Sequence, residues 1–308
     1  MTALDRRAAD GICSRSQRRW MCAALHACVS ILLAPGPTLA ESAAETVDRP
    51  RWSPSLSLGM LAHVQDVSGT AVSTFPAREF FEPRVDDEPL VLIPVVPVGL
   101  QLKGPDFAFG GRSLRPFLHG RVQVPFDQDR TVLRQGTVPN PVLIPDDLAS
   151  MQPASRLSGQ GSILVATVDV LGQVGAGIAL DVDLWDQPFT AALSLDYLAE
   201  QVTLDGSVVF VNGLGPGEGA PYLIQELDQL EHALFHYVGP RFELETFAAA
   251  QGPFRVSVFA EFGAFFALGD RSKSFSARDA TDSARFDFEV QSWLIQAGVG
   301  LRLTWAGR

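Results

Sequence analysis

Beyond residue 40 the chain carries four histidines: His63, His119, His232 and His236. His232 and His236 stand four apart in Tyr222–Tyr237, where Leu223, Leu227, Leu230 and Leu234 share one side of a predicted short amphipathic helix. With Glu231 beside them they suggest a zinc pair, but the His-Glu-x-x-His order and a third ligand are missing. They read as loop histidines. His63 shares a strand face with Ser57, yet six residues of strand put about 20 Å between them, too far for a base and its nucleophile. Acidic groups (Asp86-Asp87-Glu88, Asp127 and Asp129, Asp146-Asp147, Asp279 and Asp282) lack the spacing of a calcium loop and read as solvated loop charge. Gly213–Gly219, with Pro216, has no Lys-Ser/Thr to make a phosphate loop. No catalytic set, cofactor site or metal site emerges, and the expectation is that the protein is not an enzyme.

The elements that position these residues begin after an address. Arg15, Arg18 and Arg19 precede an apolar run from Trp20 to Ala34, broken by Pro35-Gly36-Pro37 and followed by Thr38-Leu39-Ala40. That pattern predicts a signal peptide over 1–40, cut after Ala40, with a short periplasmic segment over 41–51 and one domain over 52–308. Cys13, Cys22 and Cys28 all lie in the removed part, so the remaining chain has no thiol chemistry. It keeps 19 cations against 33 anions, a net charge of −14. This balance excludes the basic stripe of a nucleic-acid binder, so no nucleic-acid partner is expected.

The rest reads with the two-residue period of strands. Eight strands are predicted: Ser55–Gln65, Leu90–Leu102, Leu114–Phe126, Ser162–Leu184, Phe189–Tyr197, Val238–Thr246, Phe254–Leu268 and Arg285–Trp305. In the last, the parity slips near Val290–Trp293, where a bulge would reset it. Connections alternate long (66–89, 127–160, 198–233, 269–284) and short. Such alternation is the pattern of outer-membrane barrels, with long outside loops and tight periplasmic turns.

With its signal peptide, its dyad-repeat strands and a final strand running from Ile295 to the aromatic Trp305, the chain resembles the small eight-stranded outer-membrane β-barrel proteins of Gram-negative bacteria. The resemblance implies an all-β fold: a closed antiparallel transmembrane β-barrel of eight strands, with long extracellular loops and short periplasmic turns. It implies an outer-membrane location, with outer-membrane lipid and lipopolysaccharide as surroundings and the barrel-assembly machinery as partner during insertion. Ala306-Gly307-Arg308 after the terminal aromatic departs from the pattern.

In that arrangement apolar residues face lipid, and aromatics form girdles at the two interfaces. Trp52, Trp185, Phe189 and Trp305 would form one, and Phe81, Phe210, Tyr222, Tyr237 and Phe275 the other. The opposite faces would fill the lumen with a structural charge network: Arg115, Arg121, Asp169, Asp181, Asp183, Asp196, Arg241, Glu243, Glu245, Arg255, Glu261 and Arg302. His63 and His119 also face inward. Buried charges persist only when paired, so a plugged lumen is expected. The turn near Ala250–Pro253 would set Arg241 opposite Glu261, or Glu245 opposite Arg255. The function that follows is a non-enzymatic integral outer-membrane protein, structural or limited to small-molecule binding and permeation. Two alternatives are a membrane-embedded lipid-modifying hydrolase and a soluble periplasmic lipid-binding β-protein.

Overall fold

Alternation of apolar and polar residues continues well past the expected strand ends, so the strands are long. The computed structural model describes residues 52–75, 78–81, 91–109, 112–126, 129–136, 159–184, 187–213, 222–279 and 282–305. The expected signal peptide and the 41–51 segment lie outside the described residues, as do Asp86-Asp87-Glu88, Asp127, Asp146-Asp147, Trp185 and the loop tip 214–219.

Twelve strands form one antiparallel sheet. They are β1 (Ser53–Phe75), β2 (Arg78–Phe81), β3 (Val91–Lys103), β4 (Phe107–Phe109), β5 (Arg112–Pro125), β6 (Asp129–Gly136), β7 (Gly159–Leu184), β8 (Gln187–Gly213), β9 (Tyr222–Gln251), β10 (Phe254–Leu268), β11 (Ser272–Arg278) and β12 (Ser283–Trp305). Among the described residues there is no helix. The predicted helix over Tyr222–Tyr237 is the loop-ward half of β9, laddered to β8 from Gly213↔Tyr222 down to Phe189↔Thr246.

The sheet is not the eight-stranded closed barrel expected from the sequence. Among the described residues the strand count is twelve, and the sheet changes character along its height. In the turn-ward half β1, β3, β5, β7, β8, β9, β10 and β12 run round a ring, with β1 paired to both β3 and β12. Towards the other end β10 stops at Leu268, and β11 takes its place beside β12, from Ser272↔Glu289 to Arg278↔Ser283. No ladder joins β11 to β9, or β6 to β1, among the described residues. This half is therefore two facing sheets, β6-β7-β8-β9 and β11-β12-β1-β2, rather than a closed wall. Much of the four predicted long connections is strand: they contain the ends of β1, β7, β8 and β9, together with β2, β6 and β11.

Two register shifts mark the change. One lies between Gln65 and Val67 of β1, opposite Leu294 and Val290, where the parity slip predicted a bulge. The other lies between Val168 and Val170 of β7. Each bulge adds local twist and lets a strand leave one surface for another.

The two halves have opposite polarity. Between the facing sheets lies an apolar core that includes Leu164, Val202, Leu204, Phe275, Phe286 and Phe288. Gly206 lets the sheets approach there: a Cβ on it would stand 2.7 Å from the Phe286 ring. Around the ring, the apolar residues point outward: Leu58, Leu100, Val122, Ile178, Leu195, Phe262 and Leu301 are each about half or more exposed. Trp52, Phe254 and Trp305 stand exposed at the turn end. The second expected girdle is corrected, since Tyr237 and Phe275 are buried inside. Phe189, expected in the first, is buried as well.

Candidate functional site in the ring interior

Because successive strand residues point to opposite faces, an apolar outer face fixes which residues turn inward. Four cations (Lys103, Arg121, Arg241, Arg302) and five carboxylates (Asp196, Glu200, Glu243, Glu245, Glu261) are buried in the ring. Nearest the turn end, Lys103 Nζ donates to Glu245 Oε2 at 2.7 Å, and Ser257 Oγ donates to Glu245 Oε1 at 2.5 Å. Arg302 forks onto Glu243, with Nη1 to Oε1 at 2.5 Å and Nη2 to Oε2 at 2.8 Å, and its Nη1 also meets Glu245. Its guanidinium carbon lies 4.8 Å from the centre of the Phe259 ring.

One layer further in, Arg241 holds three carboxylates. Its Nη1 reaches Glu243 Oε2 and Glu261 Oε2, each at 2.8 Å, and its Nε reaches Asp196 Oδ2 at 2.9 Å. Arg121 donates from Nη1 to Glu261 Oε1 at 2.5 Å and from Nε to Gln173 Oε1 at 2.7 Å. His119 Nε2 lies 3.0 Å from Asp196 Oδ1. Gln123, Gln173 and Gln296 link this layer to His63 through amide contacts. Last, Gln65 Nε2 donates to the Tyr237 hydroxyl at 2.5 Å, which donates to Glu200 Oε2 at 3.1 Å. Beyond Glu200 the interior is hydrocarbon, including Val202, Leu204 and Phe265. The polar column ends blindly against it.

Seven of the twelve residues assigned to the lumen from sequence meet in this network: Arg121, Asp196, Arg241, Glu243, Glu245, Glu261 and Arg302. Five do not. Arg115 pairs with Asp181 and with Asp106 (3.2 Å) at the turn-end mouth. Asp183 and Arg255 are exposed at that mouth, because their strands have run past the filled section. Asp169 falls in the β7 bulge and accepts a 2.8 Å hydrogen bond from Thr203.

The expected register of the last hairpin is also corrected. Arg241 faces Gly263 and Arg255 faces Ala250, while Glu243 faces Glu261 directly. The turn centres on Gly252, whose φ of 60° suits glycine, and a shift between Val256 and Ser257 adds a residue. Two like charges thus oppose each other, and Arg241 bridges them. Lys103, Glu200, Gln65, Gln123, Gln173, Gln296 and Tyr237 were missed as network members. The signal for them was in the sequence, since each sits at the inward parity of its strand.

His232 and His236 lie on the outer face, about 13 Å apart along β9. Their Nδ1 atoms meet Thr203 Oγ1 at 2.9 Å and the Tyr197 hydroxyl at 2.6 Å. Asp169, Thr203 and His232 form a chain with the hydroxyl in the middle. A nucleophile activated by a base needs the third group on the base, and here the carboxylate bonds the hydroxyl instead. Among the described residues no group of three or more His, Cys, Asp or Glu could hold a metal ion.

No family model matches the sequence. No curated protein matches it either. Solved structures with loosely similar β-rich folds include the outer membrane protease OmpT from Escherichia coli, at 8% identity and TM-score 0.32 over 85% of this chain and 99% of that one. Ail, the attachment invasion locus protein of Yersinia pestis, matches at 8% identity and TM-score 0.20 over 81% and 98%. OccK9 (OpdG) of Pseudomonas aeruginosa matches at 9% identity and TM-score 0.16 over 82% and 98%. The chain weakly resembles several outer-membrane β proteins, and the closer kinship with the small eight-stranded barrels expected from the sequence does not hold. The twelve strands among the described residues, and the opening of the ring into two sheets, overturn it.

Proposed function

We propose that this chain is a non-enzymatic outer-membrane protein of Gram-negative type, with its ring in lipid, its paired-sheet half in water outside, and a structural role. One observation carries the reading: a belt of exposed apolar side chains surrounds a section whose interior is charged. A protein whose ring stood in water would have this polarity reversed. On β3 the exposed apolar residues run from Leu92 to Leu102. At about 3.3 Å per residue that is ~33 Å of strand, and at a tilt of about 40° it covers ~25 Å, the height of an outer-membrane apolar band. Neighbouring ring strands are laddered through most of this belt, which leaves few backbone groups in need of water.

In this reading the outer surface contacts membrane lipid and lipopolysaccharide, and the assembly machinery handles β12 and its terminal Trp305 during insertion. The ion pairs and the hydrocarbon beyond Glu200 fill the interior, which favours a structural role over passive flux. The Asp169–Thr203–His232 chain lacks the order that hydrolysis needs, which favours a structural role over lipid modification.

Fractionation with an alkaline carbonate wash tests the location: the protein stays with the outer membrane, and release into the wash sinks the reading. Planar bilayers test the seal: no steady porin-like conductance is expected. Mass spectrometry of lipid A and phospholipids from a deletion strain tests the enzymatic alternative, and an altered acyl pattern would favour it.

A further inference from the structure

The turn end of the ring opens into a cavity of about 490 Å³. Its inner wall includes the buried Lys103–Glu245 pair, so it is a blind vestibule rather than the mouth of a channel. The volume lies in the range of small-molecule sites, about 300–1,000 Å³.

Most charges lining it are satisfied. Lys103 is taken by Glu245, and Arg115 by Asp106 and Asp181. Two are left over, of opposite sign. Arg255 makes no ion pair among the described residues, and its guanidinium carbon lies 5.6 Å from the centre of the Phe247 ring. Asp183, on β7, likewise has no ion-pair partner among the described residues. A guanidinium resting over an aromatic face is favoured in that position while its N–H edges stay free for a carboxylate. Phe189 and Phe247 give the same cavity apolar walls.

We propose that this vestibule is a binding site for a small zwitterion with an apolar side chain: an aromatic amino acid or a short peptide with free termini. Its carboxylate pairs with Arg255, its ammonium with Asp183, and its side chain packs on the phenyl rings. A ligand with both charges satisfies both leftover groups without adding net charge to a cavity whose other charged side chains each have an ion-pair partner. A simple anion would leave Asp183 uncompensated, and a simple cation would leave Arg255 so. The site rests on the reading of a sealed interior, which the conductance measurement tests independently of binding.

Calorimetric titration of the folded full chain in detergent tests it, with the dipeptide Phe-Phe as probe. Its N-acetyl derivative lacks the ammonium, and its C-terminal amide lacks the carboxylate. Saturable binding of Phe-Phe is expected, weakened about tenfold by either capping, as loss of one charged hydrogen-bonded contact implies. Arg255→Gln should remove the preference for a free carboxylate and leave that for a free ammonium. Asp183→Asn should do the converse. Both positions are exposed, so the variants keep the thermal unfolding profile of the parent chain. No binding of Phe-Phe overturns the proposal, as does binding that neither variant weakens. Tighter binding of the acetylated peptide, unaffected by Asp183→Asn, overturns it in favour of an anion site.

Discussion

The ring and the paired-sheet half are built from the same strands with opposite polarity. On β8, Ser194 and Asp196 point inward while Leu193, Leu195 and Tyr197 point outward. A few residues on, with no shift in parity, Val202, Leu204 and Val208 point inward while Gln201 and Asp205 point outward. The backbone does not distinguish the two stretches. The difference lies in what each face meets. Around the ring the apolar side faces out and the interior must be closed by ion pairs. Beyond Glu200 the sheet has the ordinary arrangement of a water-soluble β sandwich, hydrocarbon within and charge without.

The two halves should therefore fail in different ways. The largest effect is expected at Arg241, whose removal leaves Asp196, Glu243 and Glu261 short of a buried cation. Arg241→Ala should cost about 3–5 kcal/mol. Arg285→Ala, on an exposed pair with Asp287, should cost no more than about 0.5 kcal/mol. Thermal unfolding in detergent reads both, and equal effects would erase the distinction between the interiors.

Phe286→Ala probes the other half. Its ring is fully buried against Phe275 and Gly206, and deletion should cost about 3–4 kcal/mol through lost burial and the cavity left behind. Because the damage lies outside the ring, hydrogen exchange should rise in β11 and loop-ward β8 while the β3–β5 ladder stays protected. Uniform loss of protection would show that the two halves unfold as one unit.

Next comes the outer surface. Leu195 is 64% exposed, and Leu195→Arg should cost about 2–4 kcal/mol if that face lies deep in lipid. Insertion into vesicles, followed by urea titration, measures it. An unchanged midpoint would mean that Leu195 faces water.

The smallest effect is on the water-facing side of β8 and β9. Burial, and then the Asp228 carboxylate, push the Asp205 carboxyl above its ordinary value, and Glu226 is raised by the same two causes. A raised carboxyl binds its proton more tightly in the folded protein than in the unfolded one. Its stabilising contribution is complete below the ordinary carboxylate range and is lost as pH rises through the raised value. Asp228→Asn should thus stabilise the paired-sheet half at neutral pH by a few tenths of a kcal/mol, given how exposed these groups are. The gain should vanish at pH 3. A gain that persists there would point to packing rather than charge.

The sequence by itself determined part of eight of the twelve described strands and the inward parity of their residues. Each of the eight predicted segments falls within an observed strand, give or take a residue at its ends, because a two-residue period is a local property that needs no partner to be read. For the same reason Arg121, Arg241, Glu243 and Arg302 could be assigned inward from parity alone. The sequence also carried a false local signal. Leu223, Leu227, Leu230 and Leu234 have helical spacing, yet in β9 Leu227 is buried while Leu230 and Leu234 are exposed. Pairing with β8 decided that segment, since a ladder along its whole length outweighs a weak local preference. Only the tertiary structure could decide the strand count, the opening of the ring into two sheets and the ion pairs. These depend on where neighbouring strands end, on bulges that shift register by a residue, and on a turn centred at Gly252 rather than one or two residues earlier. A shift that small changes which charges meet, and nothing in the local sequence fixes it.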